Sequence, residues 1–206
     1  MLKKNILFFL LSALMLSLAS CSEDEKKVEE YADWQTKNET YFNSLYTSAQ
    51  QKISNGDTSW RIYRSYSLLS DTTGYQADAD DNIIVHVISE GEGTTSPLYT
   101  DTATVVYQGR LIPSTTYTAG LIFDGFKDAY NLNTAAKSKF VLSGVVTGFT
   151  TALQQMHPGD RWQVYIPYNL GYGTTDSGSI PAYSTLIFDI TLISYKHPGG
   201  KAQIYE

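Results

Sequence analysis

The segment at residues 185–194 reads TLIFDITLIS, and its strongest pattern is an alternation along the chain. Successive side chains of an extended strand point to opposite faces, so every second residue shares one face. The residues that share the apolar face are Leu186, Phe188, Ile190 and Leu192. The segment contains no Gly or Pro and is rich in β-branched side chains, which favours a strand over a helix. We therefore predict a strand with one face in a hydrophobic core.

Three segments nearer the amino terminus are also short, strand-like runs separated by turn residues. They are residues 83–89, 103–111 and 161–166. Each predicts a further strand. In the second segment Ala103, Val105 and Tyr107 share one face, while Thr104, Val106 and Gln108 share the other. In the third segment Trp162, Val164 and Ile166 share one apolar face.

A short helical pattern lies between these strands and ends at the sequence HPGD, residues 157–160. Its apolar residues are Val145, Val146, Phe149, Leu153 and Met156. One helix enclosed by an antiparallel sheet can bury all of these apolar faces in a single core. The fold class predicted from the pattern is therefore α+β.

Residues 29–53 form a longer helical pattern that is stopped by Asn55-Gly56. Aromatic and aliphatic residues recur there at steps of three and four, which predicts an amphipathic helix. The simplest interpretation is that the apolar face packs on the rest of the molecule. Dimerisation or partner binding through this helix remains the alternative.

The amino terminus has the layout of a secretory signal. Two lysines precede an apolar run at residues 6–18, which is too short to cross a bilayer because a helical span needs about 20 residues. The sequence LASC at residues 18–21 resembles the lipobox of bacterial lipoproteins, in which the signal is cut before a cysteine that is then lipidated. We predict lipid attachment at Cys21, with an ordinary buried thiol as the alternative.

The residues after Cys21 read SEDEKK, a charged run that predicts a solvated tether. This run also resembles the acidic export signal of surface lipoproteins of the Bacteroidetes type. Together these features predict a lipid-anchored protein of the cell envelope, most simply at the outer membrane. Whether the protein faces the periplasm or the outside stays open.

Composition excludes several classes of protein. The chain has 206 residues, 17% charged residues and a net charge of −6, so it lacks the basic excess of a nucleic-acid-binding protein. Cys21 is its one cysteine, which excludes a disulfide within the chain. Neither its three histidines nor the acidic residues Asp78, Asp80 and Asp81 have the spacing of a ligand set, so we predict no metal site and no cofactor.

The order of several short motifs resembles the FKBP-type peptidyl-prolyl cis-trans isomerases over residues 83–196. The motifs are VVYQGRL at 105–111, IFD at 122–124, FVL at 140–142, VVTGF at 145–149, LQQM at 153–156, PGDRW at 158–162, LGYG at 170–173, IP at 180–181 and STLIFD at 184–189. The resemblance implies a twisted antiparallel sheet, shaped as a half-barrel, around the short helix.

The resemblance also implies an apolar pocket between the sheet and the helix. Its catalytic residues would be Tyr107, Asp124 and Tyr172, and its substrate-binding residues would be Phe123, Val145, Val146, Phe149, Ile180 and Phe188. By the same resemblance, the Tyr172 hydroxyl and the Ile180 N–H donate hydrogen bonds to substrate carbonyls. Phe149 stands where the family usually has tryptophan, and the loop TTDSGS at residues 174–179 lacks residues that the best-known members have there.

Two functions of different class follow. The first is an isomerase that acts on proline-containing polypeptides among exported proteins. Such a reaction breaks no covalent bond and needs only a pocket that binds the twisted amide better than the planar one. The second is an FKBP-like binding module without turnover. Macrolide ligands of the family are implied as further occupants of the pocket.

The predicted organisation has five parts. These are a signal at 1–20, a tether at 21–30, a helical extension and linker at 31–82, the isomerase-like domain at 83–196 and a tail at 197–206.

Overall fold

A computed structural model describes residues 29–68, 78–128, 130–200 and 202–204. The signal, Cys21 and most of the tether lie outside the described residues. The helices within the described ranges are α1 (Trp34–Ser54) and α2 (Thr147–Leu153), and the strands are β1 (Trp60–Arg64), β2 (Asn82–Ser89), β3 (Thr102–Leu111), β4 (Ile122–Gly125), β5 (Ser138–Val141), β6 (Arg161–Ile166), β7 (Leu186–Lys196) and β8 (Ala202–Ile204). Short 3₁₀ turns lie at Tyr66–Leu68, Ala79–Asp81, Leu142–Gly144 and Tyr168–Leu170.

These strands form one antiparallel sheet in the order β1-β2-β6-β7-β3-β4. The two longest strands, β3 and β7, pair along their length at its centre. β5 pairs with the first half of β3, and β8 pairs with the end of β7. The predicted fold class is confirmed, because an antiparallel sheet packs with one short helix and a longer amino-terminal helix is present.

The predicted inward faces of β6 and β7 lie directly opposite each other. Their paired positions are Trp162 with Ile190, Val164 with Phe188 and Ile166 with Leu186. All six side chains are buried, so the alternation of the two segments becomes one continuous core surface.

The short helix α2 is held by burial, since seven residues are too few for a stable isolated helix. Every residue from Gly148 to Leu153 is buried. Gly148 allows a close approach to the sheet, because a Cβ there would lie 2.3 Å from Cγ2 of Ile166. The Thr150 hydroxyl donates to the carbonyl oxygen of Leu142 at 2.6 Å, so this buried polar group is satisfied.

Helix α1 packs its apolar face on the protein's own core. Trp34, Phe42 and Ala49 are buried on one face, together with the polar Asn38. This confirms the interpretation that the aromatic face is covered within the chain. Ile53, the last residue of the predicted helical pattern, is exposed near the end of the helix.

Two segments that were predicted as an extension and as a tail contribute strands to the sheet. Residues 31–82, predicted as a helical extension and linker, also contain β1, which pairs with β2 at the edge of the sheet. The predicted tail at 197–206 contains β8. The sequence WRIYR at 60–64 shows no strict alternation of apolar and polar residues. An edge strand does not require one, because its faces are only partly covered and leave room for the long side chains of Arg61 and Arg64.

Neither helix in the described ranges combines the length and the apolarity that a bilayer crossing requires.

Candidate active site

A cavity of about 280 Å³ opens beside β3, β4, β7 and the start of α2. Its lining residues are Tyr107, Phe123, Asp124, Phe140, Gly144, Val145, Val146, Phe149, Tyr172 and Phe188. Eight of the nine pocket residues expected from the resemblance are among them, although they come from five separate stretches of the chain.

The floor of this cavity is a cluster of aromatic rings around Phe149, which is 3% exposed. The Phe149 ring centroid lies 5.0 Å from that of Phe188 and 6.1 Å from that of Tyr107, with interplanar angles of 75° and 77°. Such edge-to-face contacts are favoured because the positive ring edge meets the negative ring face. The floor is therefore apolar and held in place by its neighbours.

Gly109 allows two of the aromatic walls to meet. Phe123 and Phe188 form an edge-to-face pair with centroids 5.6 Å apart. A Cβ on Gly109 would lie 2.5 Å from Cε2 of Phe123 and 2.7 Å from Cε1 of Phe188. The absence of a side chain at Gly109 thus makes room for both rings.

A β-bulge brings two consecutive residues of β4 to the same cavity. In the pairing of β3 with β4, Gly109 lies opposite Asp124 and Arg110 lies opposite Ile122, which leaves Phe123 as the extra residue. Strict alternation would send Phe123 and Asp124 to opposite faces of the sheet. Because a bulge redirects side chains, both can line the cavity.

The polar side of the cavity centres on Asp124. The Tyr107 hydroxyl donates to Oδ2 of Asp124 at 2.6 Å, and the N–H of Gly125 donates to Oδ1 at 2.8 Å. Burial and, next, the hydrogen bond to Asp124 raise the pKa of Tyr107 well above its usual range. Tyr107 therefore stays protonated and holds the exposed carboxylate in a fixed orientation.

Tyr172 stands at the mouth of the cavity with 43% of its surface exposed. Burial of the rest of the side chain and the negative charge of Asp124 raise the pKa of Tyr172. Its hydroxyl therefore remains an O–H donor at neutral pH, within reach of a ligand that enters from solvent.

Ile180 occupies a different position from the one expected. Its N–H donates to the carbonyl oxygen of Ser177 at 3.0 Å, and the Ser177 N–H donates back to the Ile180 oxygen at 2.9 Å. Gly178, with φ of 59°, permits this tight turn. The N–H expected to face substrate is thus paired inside its own loop, and the Ile180 side chain lines a second cleft beside Tyr31 and Trp34.

Two residues of the cavity were missed by the sequence reasoning. Phe140 on β5 has its ring centroid 5.3 Å from that of Tyr107 and 5.9 Å from that of Phe149, and Gly144 also lines the cavity. The motif FVL at 140–142 was the available signal, but a four-residue strand gives too short an alternation to show which face Phe140 takes.

Across the described ranges, no three His, Cys, Asp or Glu side chains come close enough together to hold a metal ion. The groups that the cavity offers to a ligand are aromatic and aliphatic surfaces, two tyrosine hydroxyls and one carboxylate.

Comparison with known proteins places a family match on this part of the chain. Residues 93–193 match the family described as FKBP-type peptidyl-prolyl cis-trans isomerase. The chain is 39% identical over 125 residues to the macrophage infectivity potentiator of Trypanosoma cruzi, covering 60% of this chain and 58% of that protein.

Two bacterial relatives match over a similar stretch. The FKBP-type 22 kDa peptidyl-prolyl cis-trans isomerase of Escherichia coli K12 is 36% identical over 108 residues, covering 52% of this chain and 47% of the relative. The outer membrane protein MIP of Legionella longbeachae is 39% identical over 111 residues, covering 53% of this chain and 42% of that protein. The chain thus spans about half the length of the relatives it matches.

Proposed function

We propose that this protein accelerates cis-trans isomerisation of X-Pro bonds in polypeptides, because residues 93–193 match the FKBP-type peptidyl-prolyl cis-trans isomerase family. The observation that carries the proposal is the convergence of aromatic rings, two tyrosine hydroxyls and one carboxylate on a single cavity. The match covers only part of the chain and of its relatives, and the cavity lies within that part.

The reaction needs differential binding and no covalent step. Rotation about a peptide bond meets a barrier of about 18–20 kcal/mol, because the twisted amide loses its resonance. Each 1.36 kcal/mol of preference for the twisted form increases the rate by about tenfold. The twisted amide has less charge separation than the planar one, so an apolar aromatic cavity favours it.

In this proposal the prolyl ring sits among the rings of Phe123, Phe149 and Phe188, with Val145 and Val146 at its side. The Tyr172 hydroxyl donates to a substrate carbonyl near the mouth. Tyr107 and Asp124 form the opposite wall, where the hydrogen bond between them presents a fixed carboxylate to the substrate. Macrolide ligands of the family would occupy the same cavity and would compete with a prolyl peptide.

The cellular setting that we propose is the bacterial envelope, with lipid attachment at Cys21. The apolar run at 6–18 followed by LASC supports export and lipidation, and two acyl chains anchor a protein stably without a membrane-spanning helix. One relative carries the name outer membrane protein MIP. Exported polypeptides would be the substrates, since uncatalysed X-Pro isomerisation takes tens to hundreds of seconds and can limit folding.

A second candidate function is polypeptide binding without turnover. One observation favours it: the Ile180 N–H is paired with Ser177 inside the loop instead of being free for a substrate carbonyl. A module of this kind would bind prolyl peptides in the same cavity but leave their isomerisation rate unchanged.

The two candidates separate in a protease-coupled isomerisation assay with the purified chain and a tetrapeptide that contains proline. The isomerase predicts a rate above buffer that rises linearly with protein concentration. Binding of the same peptide with no acceleration, by a protein with a folded circular dichroism spectrum, would select the binding module. Absence of both binding and acceleration would reject both.

A further inference from the structure

Helix α1 is joined to the base of one particular loop, the segment at residues 171–185, which we call the mouth loop. This loop runs from the 3₁₀ turn at Tyr168–Leu170 to the start of β7 and carries Tyr172 at the mouth of the cavity. The loop lies far from α1 in sequence, so the contacts between them are purely tertiary.

The first contact is made by the indole of Trp34. Its Nε1–H donates to Oγ of Ser184 at 2.8 Å, in a buried position 150 residues away in sequence. The Ser184 hydroxyl then donates to the carbonyl oxygen of Pro181 at 2.6 Å. The single indole donor thus fixes both the Ser184 side chain and, through it, the backbone at Pro181.

The second contact is made by Asn38, one turn further along α1 and fully buried. Its Oδ1 accepts the N–H of Thr185 at 2.7 Å, while its Nδ2 donates to the carbonyl oxygen of Trp34 at 2.7 Å. A buried N–H that loses its acceptor is costly, so this amide ties the last residue of the mouth loop to the helix.

The fixed end of the mouth loop is connected to Gly173, the residue that follows Tyr172. The N–H of Tyr183 donates to the carbonyl oxygen of Gly173 at 2.9 Å, which joins the two stems of the loop next to Tyr172 and Ser184. Tyr183 has φ of 62°, a left-handed conformation that a non-glycine residue keeps only where its surroundings impose it. Its ring packs against Tyr168 with centroids 5.2 Å apart.

We propose that Trp34 and Asn38 are positioning residues that hold the mouth loop, and with it Tyr172, in the shape that receives the polypeptide. The inference rests on the proposed isomerase function, and it gives the amino-terminal helix a role in substrate preference. Of the mouth loop, Tyr172 lines the cavity, at its mouth and away from the aromatic floor that would hold the prolyl ring, so recognition of a residue next to proline should change.

The test uses Trp34→Phe, which keeps an aromatic ring but removes the donor, and Ser184→Ala, which removes the acceptor. For each variant of the full chain, kcat/KM is measured for peptides that differ in the residue before proline. Hydrogen exchange of the Ala182 and Tyr183 amides is measured in parallel. We expect either change to lower kcat/KM by about three- to tenfold, the range that one hydrogen bond controls, and to do so unequally across the peptide series.

The amides at 182 and 183 should exchange about fivefold faster in both variants, because the loop opens more readily. The double variant Trp34→Phe/Ser184→Ala should lose no more than Ser184→Ala alone, since that change already breaks the bond from Trp34 as well as the bond to Pro181. The matched control is Leu45→Ala, which weakens packing about three turns along the same helix. It should lower the melting temperature while leaving the order of peptide preference and the loop exchange unchanged.

The inference is overturned if Trp34→Phe leaves loop exchange unchanged, or if kcat/KM falls by the same factor for every peptide. Either result would reduce Trp34 to a structural residue. An inactive wild-type chain would instead reject the proposed function, so the two failures are distinguishable.

Discussion

The hydroxyl of Tyr107 donates a 2.6 Å hydrogen bond to Oδ2 of Asp124, and this bond connects the buried wall of the cavity to its exposed mouth. Tyr107 is 8% exposed, whereas Asp124 is open to solvent. The Gly125 N–H holds the other carboxylate oxygen, so Asp124 is fixed from two directions. In the proposed isomerase, a substrate would therefore meet a carboxylate whose orientation is set before binding.

Replacing Asp124 by alanine should lower kcat/KM by about tenfold or more, because a hydrogen bond to a charged group contributes about 1.5–3 kcal/mol. The chain should remain folded, with the free energy of unfolding reduced by about 1–2 kcal/mol since the Tyr107 hydroxyl loses its acceptor. The control Asp128→Ala changes an exposed carboxylate four residues further on and should alter neither quantity. Wild-type activity in Asp124→Ala would show that Asp124 is not a catalytic residue.

Tyr172→Phe removes one hydroxyl and keeps the ring. If that hydroxyl donates to a substrate carbonyl, kcat/KM should fall by about three- to tenfold while the melting temperature stays within about 2 °C of wild type. Tyr117→Phe is the matched control, since Tyr117 is 42% exposed against 43% for Tyr172. Equal activities in the two variants would argue against a role for the Tyr172 hydroxyl.

Gly109→Ala tests the close approach of Phe123 and Phe188. The added methyl would lie 2.5 Å and 2.7 Å from the two rings, so they must separate, at a cost of about 1–3 kcal/mol in the free energy of unfolding. Urea denaturation measures this cost, and prolyl-peptide binding should weaken with it. Gly144→Ala serves as the control for stability, because a Cβ there meets no atom within 4 Å. Equal stabilities of the two variants would contradict the tight contact.

The rate of catalysis should be nearly independent of pH between about 6 and 9. Burial raises the pKa values of Tyr107 and Tyr172 above the usual value for tyrosine, so both hydroxyls keep their protons across this interval. A tyrosine hydroxyl keeps its proton at any pH below its pKa. Because both pKa values are raised, the two hydroxyls lose their protons only in more alkaline solution. A bell-shaped kcat/KM profile centred near neutrality would show that another group controls the reaction.

Cys21→Ser should release the protein from membranes, because the serine hydroxyl cannot form the thioether of a lipidated cysteine. Fractionation of cells that express the full chain, with immunodetection of pellet and supernatant, measures the change. Ser22→Ala is a neighbouring control that should stay in the pellet. Retention of Cys21→Ser in the pellet would contradict a lipid anchor at this residue.

Much of the fold could be predicted from local patterns. The alternation at 161–166 and 185–194 correctly indicated the inward faces, since Val164 and Phe188 are buried opposite each other. β1 escaped prediction because a partly covered edge strand places no strict demand on alternate residues. The periodicity of α1 predicted a packed face, and the structure identifies the surface that this face covers.

The site was less accessible to pattern reasoning. Alternation alone separates Phe123 from Asp124, and only their resemblance to a family motif placed both in one pocket. The bulge opposite Gly109 and Arg110 brings them together, and a bulge depends on the register between two strands. The Ile180 N–H could not be assigned from sequence either, because its acceptor at Ser177 depends on how the loop closes.

The sequence by itself determined the strands at the centre of the sheet, the buried short helix and the family motifs, because side-chain alternation and periodicity are local properties of the chain. The tertiary structure alone decided which aromatic rings meet, how Asp124 is oriented, and that Trp34 reaches Ser184. These relationships join residues far apart in sequence, and their geometry depends on strand register and loop closure, which no local pattern specifies.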